Sequence, residues 1–151
     1  MKKIFISSLI ITASCLVLFF SGMYASLNVF IYHTVFYGLF PVLWGVLLKC
    51  FTPKWGHMLL SYFAAGILYG LVAGLFVDYS VDTFLGLALG CLLVYLFTLP
   101  ATFVSFAVTK SLSKIQSAKM RKIMTAIACV CAVLYIAAIS LTVYFAGIYE
   151  V

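Results

Sequence analysis

Long apolar runs separated by short polar breaks make up almost the whole chain. Two lysines, Lys2 and Lys3, precede an apolar run over 4–23, and further runs cover 29–48, 57–77, 83–109 and 123–147. Each is about twenty residues or more, the length at which a helix crosses the hydrocarbon core. The breaks carry turn chemistry. Ser21, Gly22, Ser26 and Asn28 predict a tight turn, and Lys49, Thr52, Pro53, Lys54 and Gly56 a second. Asp78, Tyr79, Ser80 and Asp82 form a short acidic turn, and 110–122 is the one long polar stretch. Pro41, between Gly38 and Gly45, predicts a kink in the second run. The fourth run exceeds a straight crossing, which predicts tilt, a kink at Pro100 or projection beyond the lipid.

Composition makes the class firm. Of 151 residues, 67% are hydrophobic and 8% charged, and mean hydropathy is +1.28. Typical soluble domains carry about 25% charged residues. Backbone groups in lipid must be satisfied internally, so only helices or closed barrels span. A barrel would show alternation over segments of about ten residues, whereas these runs are continuous. The expected fold is a single all-α transmembrane domain of five spans in a bacterial cell membrane. The net charge of +6 does not indicate nucleic acid, because the basic residues are few and dispersed between the spans.

Those charges predict an orientation. Lys2, Lys3, Lys49, Lys54, Lys110, Lys114, Lys119, Arg121 and Lys122 fall on one side of a five-span chain, and Asp78, Asp82 and Glu150 on the other. Basic short loops stay cytoplasmic, so the N-terminus is expected inside and the C-terminus outside. Merging two of the runs into a four-span chain would mix the signs. The first run is either a retained span or a signal peptide with Tyr24-Ala25-Ser26 at its cleavage site. Its length favours retention, and Thr12 argues against lipoprotein processing at Cys15.

Three patterns suggest contacts. Gly66, Gly70 and Gly74 repeat every fourth residue on one helix face, and Gly86 and Gly90 begin a similar face on the fourth span. Such faces let helices approach closely, either within the chain or toward a second copy or another membrane protein. Cys91, Tyr95, Thr98, Thr102, Ser105 and Thr109 recur at intervals of four and three, one stripe of a helix. Their hydroxyls either bridge helices and repair the backbone at Pro100 or line a ligand cavity. The basic residues Lys110, Lys114, Lys119, Arg121 and Lys122 are placed to attract anionic lipid headgroups, each by about 1 kcal/mol near the surface.

Candidate chemistry is sparse. His33, beside Tyr32 and Tyr37, is an ionisable group at membrane depth and so a ligand-binding candidate. His57, beside Lys54 and Trp55, reads as an interfacial anchor. The five cysteines show neither zinc nor redox spacing. There is no phosphate-binding loop, HExxH or Gly-x-Ser-x-Gly elbow. No catalytic residue, metal site or cofactor is therefore expected. The run Phe36-Tyr37-Gly38-Leu39-Phe40-Pro41-Val42, with the Lys-marked turn after it, resembles short multispan proteins of Gram-positive bacilli. That resemblance implies a membrane protein and brings no activity. The sequence favours an accessory, immunity or regulatory protein acting through helix contacts, with a small-molecule transport component as the alternative.

Overall fold

The structure, a computed structural model, describes residues 2–24, 29–52, 54–77, 88–89, 91–93 and 95–145. They are all-α. Helix α1 spans Lys2–Tyr24, α2 Val29–His33, α3 Phe40–Phe51, α4 Trp55–Val77, α5 Leu99–Leu112 and α6 Ala118–Phe145. A π-helical segment, Thr34–Leu39, joins α2 to α3 into one continuous rod. Four stretches are long and apolar enough to cross a membrane: Lys2–Gly22, Phe30–Phe51, Trp55–Leu75 and Ala118–Phe145. The chain is a helical membrane protein.

Several expected boundaries move. Ser21 and Gly22 lie inside α1 rather than in a turn, because flanking apolar residues carry the helix on to Tyr24. The polar stretch 110–122 is not one loop. Lys110 sits in the last turn of α5, and Lys119, Arg121 and Lys122 begin α6, leaving residues 113–117 as connector. Lysine and arginine are good helix formers, so charge alone does not end a helix. In the fourth run the helix is interrupted by a turn at residues 97–98, and α5 by itself is only 14 residues long. Pro100 cannot donate to the ladder, so the backbone tightens before it, with Thr98 N–H on the Tyr95 carbonyl at 3.0 Å. The acidic turn, Ser26, Asn28, Gly86, Gly90 and Glu150 lie outside the described residues.

The π segment answers Pro41. Its ring would clash with the carbonyl of Tyr37 in a regular helix, and it has no N–H to give that carbonyl. Widening removes the clash, with Phe40 N–H reaching back five residues to Val35. Tyr135 of α6 then donates its hydroxyl to the Tyr37 carbonyl at 2.6 Å. Gly38 leaves room for α6, its nearest neighbour being Ile136.

Pairwise contacts fix helix directions. Ser8 meets Ser61, Thr12 meets Ala65 and Phe19 meets Tyr69, so α1 and α4 run parallel. Gly22 faces Tyr32 and Ser14 bonds Trp44, so α3 runs against α1. Gly70 faces Ala88, Gly66 faces Tyr95, Tyr62 meets Thr98 and Trp55 meets Phe106. Residues 88–89, 91–93 and 95–112 thus run antiparallel to α4 across most of its length. Lys2 and Lys3 of α1, Lys49 of α3, Lys54 just before α4 and Lys110 of α5 therefore gather at one end. The core lies where α1, α3, α4 and this segment meet, around Ile11, Cys15, Phe36, Trp44, Tyr62, Tyr69, Tyr95 and Phe106.

Candidate functional site

Polar chemistry in this chain is concentrated in buried hydroxyls, and the interior organises them in two networks. The first centres on Tyr62 and Tyr95, whose rings stack with centroids 4.4 Å apart. Each tyrosine donates to the other's backbone: Tyr95 Oη to the Tyr62 carbonyl at 2.9 Å, Tyr62 Oη to the Tyr95 carbonyl at 2.8 Å. Thr98 Oγ1 lies 2.6 Å from Tyr62 Oη and 2.7 Å from the same Tyr95 carbonyl. Two hydroxyl protons therefore serve a triangle of three oxygens at the turn before Pro100. The arrangement satisfies a carbonyl at a broken helix, which lipid cannot do.

The other hydroxyls of the predicted stripe disperse. Thr102 bonds to the Thr98 carbonyl (2.9 Å) and Thr109 to the Ser105 carbonyl (2.8 Å), each on its own helix. Ser105 reaches across to the Val42 carbonyl of α3 at 2.7 Å. That contact depends on Gly45, since a Cβ there would lie 2.5 Å from Ser105 Cβ and 2.7 Å from the Phe106 nitrogen. Every hydroxyl proton from Tyr95 to Thr109 is committed to the protein. His33 is not brought to this group; it is half-buried, with its ring beside Tyr32 at 5.3 Å and Tyr37 at 5.9 Å.

The second network joins α1 to α4 and was not singled out from the sequence. Ser7 Oγ lies 3.0 Å from Ser61 Oγ, Ser8 donates to the Ser61 carbonyl at 3.0 Å and Thr12 to the Ala65 carbonyl at 3.2 Å. Trp44 Nε1 donates to Ser14 Oγ at 3.0 Å, drawing α3 onto α1. A signal was present: Ser8, Thr12, Cys15 and Phe19 recur at four, three and four, the same test that marked the stripe from Cys91.

Of the glycines of α4, Gly66, Gly70 and Gly74 face inward, whereas Gly56 is exposed. A Cβ on Gly66 would meet the Tyr95 ring at 2.6 Å, and one on Gly70 the Ala88 carbonyl at 2.7 Å; Gly74 is buried. At the basic end, Trp55 stacks on Phe103 at 4.7 Å, and Lys110 Nζ sits 4.8 Å above the Trp55 ring. Lys114, Lys119, Arg121 and Lys122 are exposed, as is His57. Cys15 is buried, Cys91 half-buried, and Cys50, Cys129 and Cys131 are exposed, all as free thiols. No cluster of three His, Cys, Asp or Glu forms among the described residues.

The last helix differs from the rest. Outside a half-buried line of Ala128, Ala132, Tyr135, Ile136, Ile139 and Ser140 and the buried Val143, α6 is exposed along its length. Opposite Ile136 runs a stripe of Met120, Met124, Ile127, Cys131, Leu134, Ala138, Leu141 and Phe145, spaced alternately four and three and all exposed. No protein-family model, curated protein or solved structure matches the chain.

Proposed function

We propose that this protein is a non-enzymatic accessory protein of a bacterial cytoplasmic membrane that acts by pairing α6 with a helix of another membrane protein. The observation that carries this reading is the exposure of α6 beside an otherwise interlocked bundle. The four-three spacing of its outer stripe is that of a helix pair with left-handed crossing. On the glycine face of α4, the first candidate for such contact, Gly66 and Gly70 already pack against the chain's own Ala88, Leu92 and Tyr95, so the partner surface moves to α6. A solute cavity on the stripe from Tyr95 has less support, because its hydroxyls are engaged with carbonyls.

The orientation follows from the basic end. With that end cytoplasmic, α1 and α4 run outward, α3 and residues 88–112 run inward, and α6 leads out again. This gives five crossings, with the N-terminus inside and the C-terminus outside. Eight lysines to one arginine accord with a bacterial source of AT-rich genome.

The test is affinity purification of the tagged chain in mild detergent from its native membrane, with partners identified by mass spectrometry. A stoichiometric membrane partner should be lost on Ala138→Phe or Leu134→Ala, while the thermal unfolding of the chain itself stays within about 0.5 kcal/mol of wild type. If partners survive both substitutions, or none is found, α6 faces only lipid and the reading fails.

A further inference from the structure

The outer side of the α1–α4 pair, facing away from the core, holds a groove of about 460 Å³ lined by Lys2, Ile4, Phe5, Ser8, Leu60, Ala64 and Leu68. Its walls are apolar in effect, because Ser8 turns its hydroxyl inward to Ile4 and Ser61. Phe5 and Leu60 stand exposed at 65% and 57%, and Ala64 leaves the floor low between Leu60 and Leu68. These three α4 residues recur every fourth position, and one turn earlier the same face carries Gly56. A Cβ on Gly56 would find nothing within 4 Å, so the groove is open at that end. Lys2 stands at this mouth, with Lys3 next to it in the chain. No acidic side chain among the described residues offers Lys2 a partner, since Asp78, Asp82 and Glu150 all lie outside them.

We propose that this groove binds one anionic phospholipid, with an acyl chain lying between Leu60 and Leu68 over Ala64 and the phosphate on Lys2. The groove runs along the two helices, and so along the direction of lipid chains. Its one charged lining residue is at the end where the basic residues gather, the level of a headgroup. An apolar trough alone would take any lipid; the ammonium at its mouth selects for net negative charge. The inference is independent of the role given to α6, and its site lies on different helices from the α6 stripe.

The full chain is reconstituted in phosphatidylcholine vesicles carrying either spin-labelled phosphatidylglycerol or spin-labelled phosphatidylcholine. The motionally restricted fraction then gives the relative association constant of the two. The wild type should prefer phosphatidylglycerol, and Lys2→Gln should reduce the preference by about fivefold, the factor one basic side chain near the surface contributes. Ala64→Phe fills the groove and should abolish the preference; Ala64→Leu, less bulky, should weaken it, and covers the case in which the larger substitution perturbs folding. An unchanged preference in Lys2→Gln and Ala64→Leu overturns the proposal. So does a preference that disappears with Lys114→Gln and Lys119→Gln but not with Lys2→Gln, which would assign it to the basic connector and the start of α6.

Discussion

Half of the most apolar stretch of Trp55–Leu75 is buried within the chain, against 6% of that of Ala118–Phe145, although the latter is the more hydropathic of the two. In water the ranking would be reversed, since the more apolar helix would be driven to the centre. In lipid, tails are as apolar as leucine, and apolarity gives no preference for another helix over the solvent. What distinguishes α4 is close approach and hydrogen bonding. It presents Gly66, Gly70 and Gly74, and Ser61 and Tyr62 bond to other segments. Helix α6 contains no glycine, and Thr125, Ser140 and Thr142 all donate to carbonyls of their own helix. Tyr135, through the carbonyl exposed by Pro41, ties α6 to the bundle.

The largest expected effect comes from filling a close approach on the packed side. Gly45→Leu would force α3 and α5 apart, because the nearest obstacles include backbone; overpacking of this kind costs about 1–3 kcal/mol or more. Thermal unfolding in detergent, followed by tryptophan fluorescence, should show a strongly lowered midpoint or no folded fraction. Gly38→Ala, on the α6 side, should be nearly neutral, since its Cβ would sit 3.5 Å from Ile136, an ordinary contact. Equal losses at both glycines would erase the contrast between tight and loose packing.

A smaller loss is expected at the reciprocal tyrosines. Tyr62→Phe leaves the Tyr95 carbonyl with fewer donors and should cost about 1 kcal/mol. Tyr95→Phe should cost a similar amount, and the double variant should lose less than the sum, because the two bonds hold the same pair of stacked rings. Simple additivity in the unfolding midpoints would show that the two bonds act separately.

The smallest effect tests the comparison most directly. Thr12→Val removes a bridge between α1 and α4 and should cost about 0.6 kcal/mol, the average for such bonds in membranes. Thr142→Val removes only a bond to its own helix and should leave the midpoint unchanged. If the two are indistinguishable, the serine and threonine bridges contribute position rather than stability.

Much of this organisation was legible in the chain. Runs of apolar residues determined helices in lipid, because nothing else satisfies the backbone there, and Pro41 and Pro100 marked where two of them would break. The four-three spacing from Cys91 marked a polar stripe, and the glycine repeat marked a close contact. The tertiary structure decided what those features touch. It set Gly66 and Gly70 against Ala88, Leu92 and Tyr95 of the same chain, divided the hydroxyl stripe between α4, α3 and its own helix, and gave each break a tyrosine from a neighbour. It also separated α6 from the core, although α1, which packs into the bundle, is almost as hydropathic. The physical reason is the solvent: in a bilayer, hydrophobicity says that a helix is inside the membrane, and only shape and hydrogen bonding decide which helices meet.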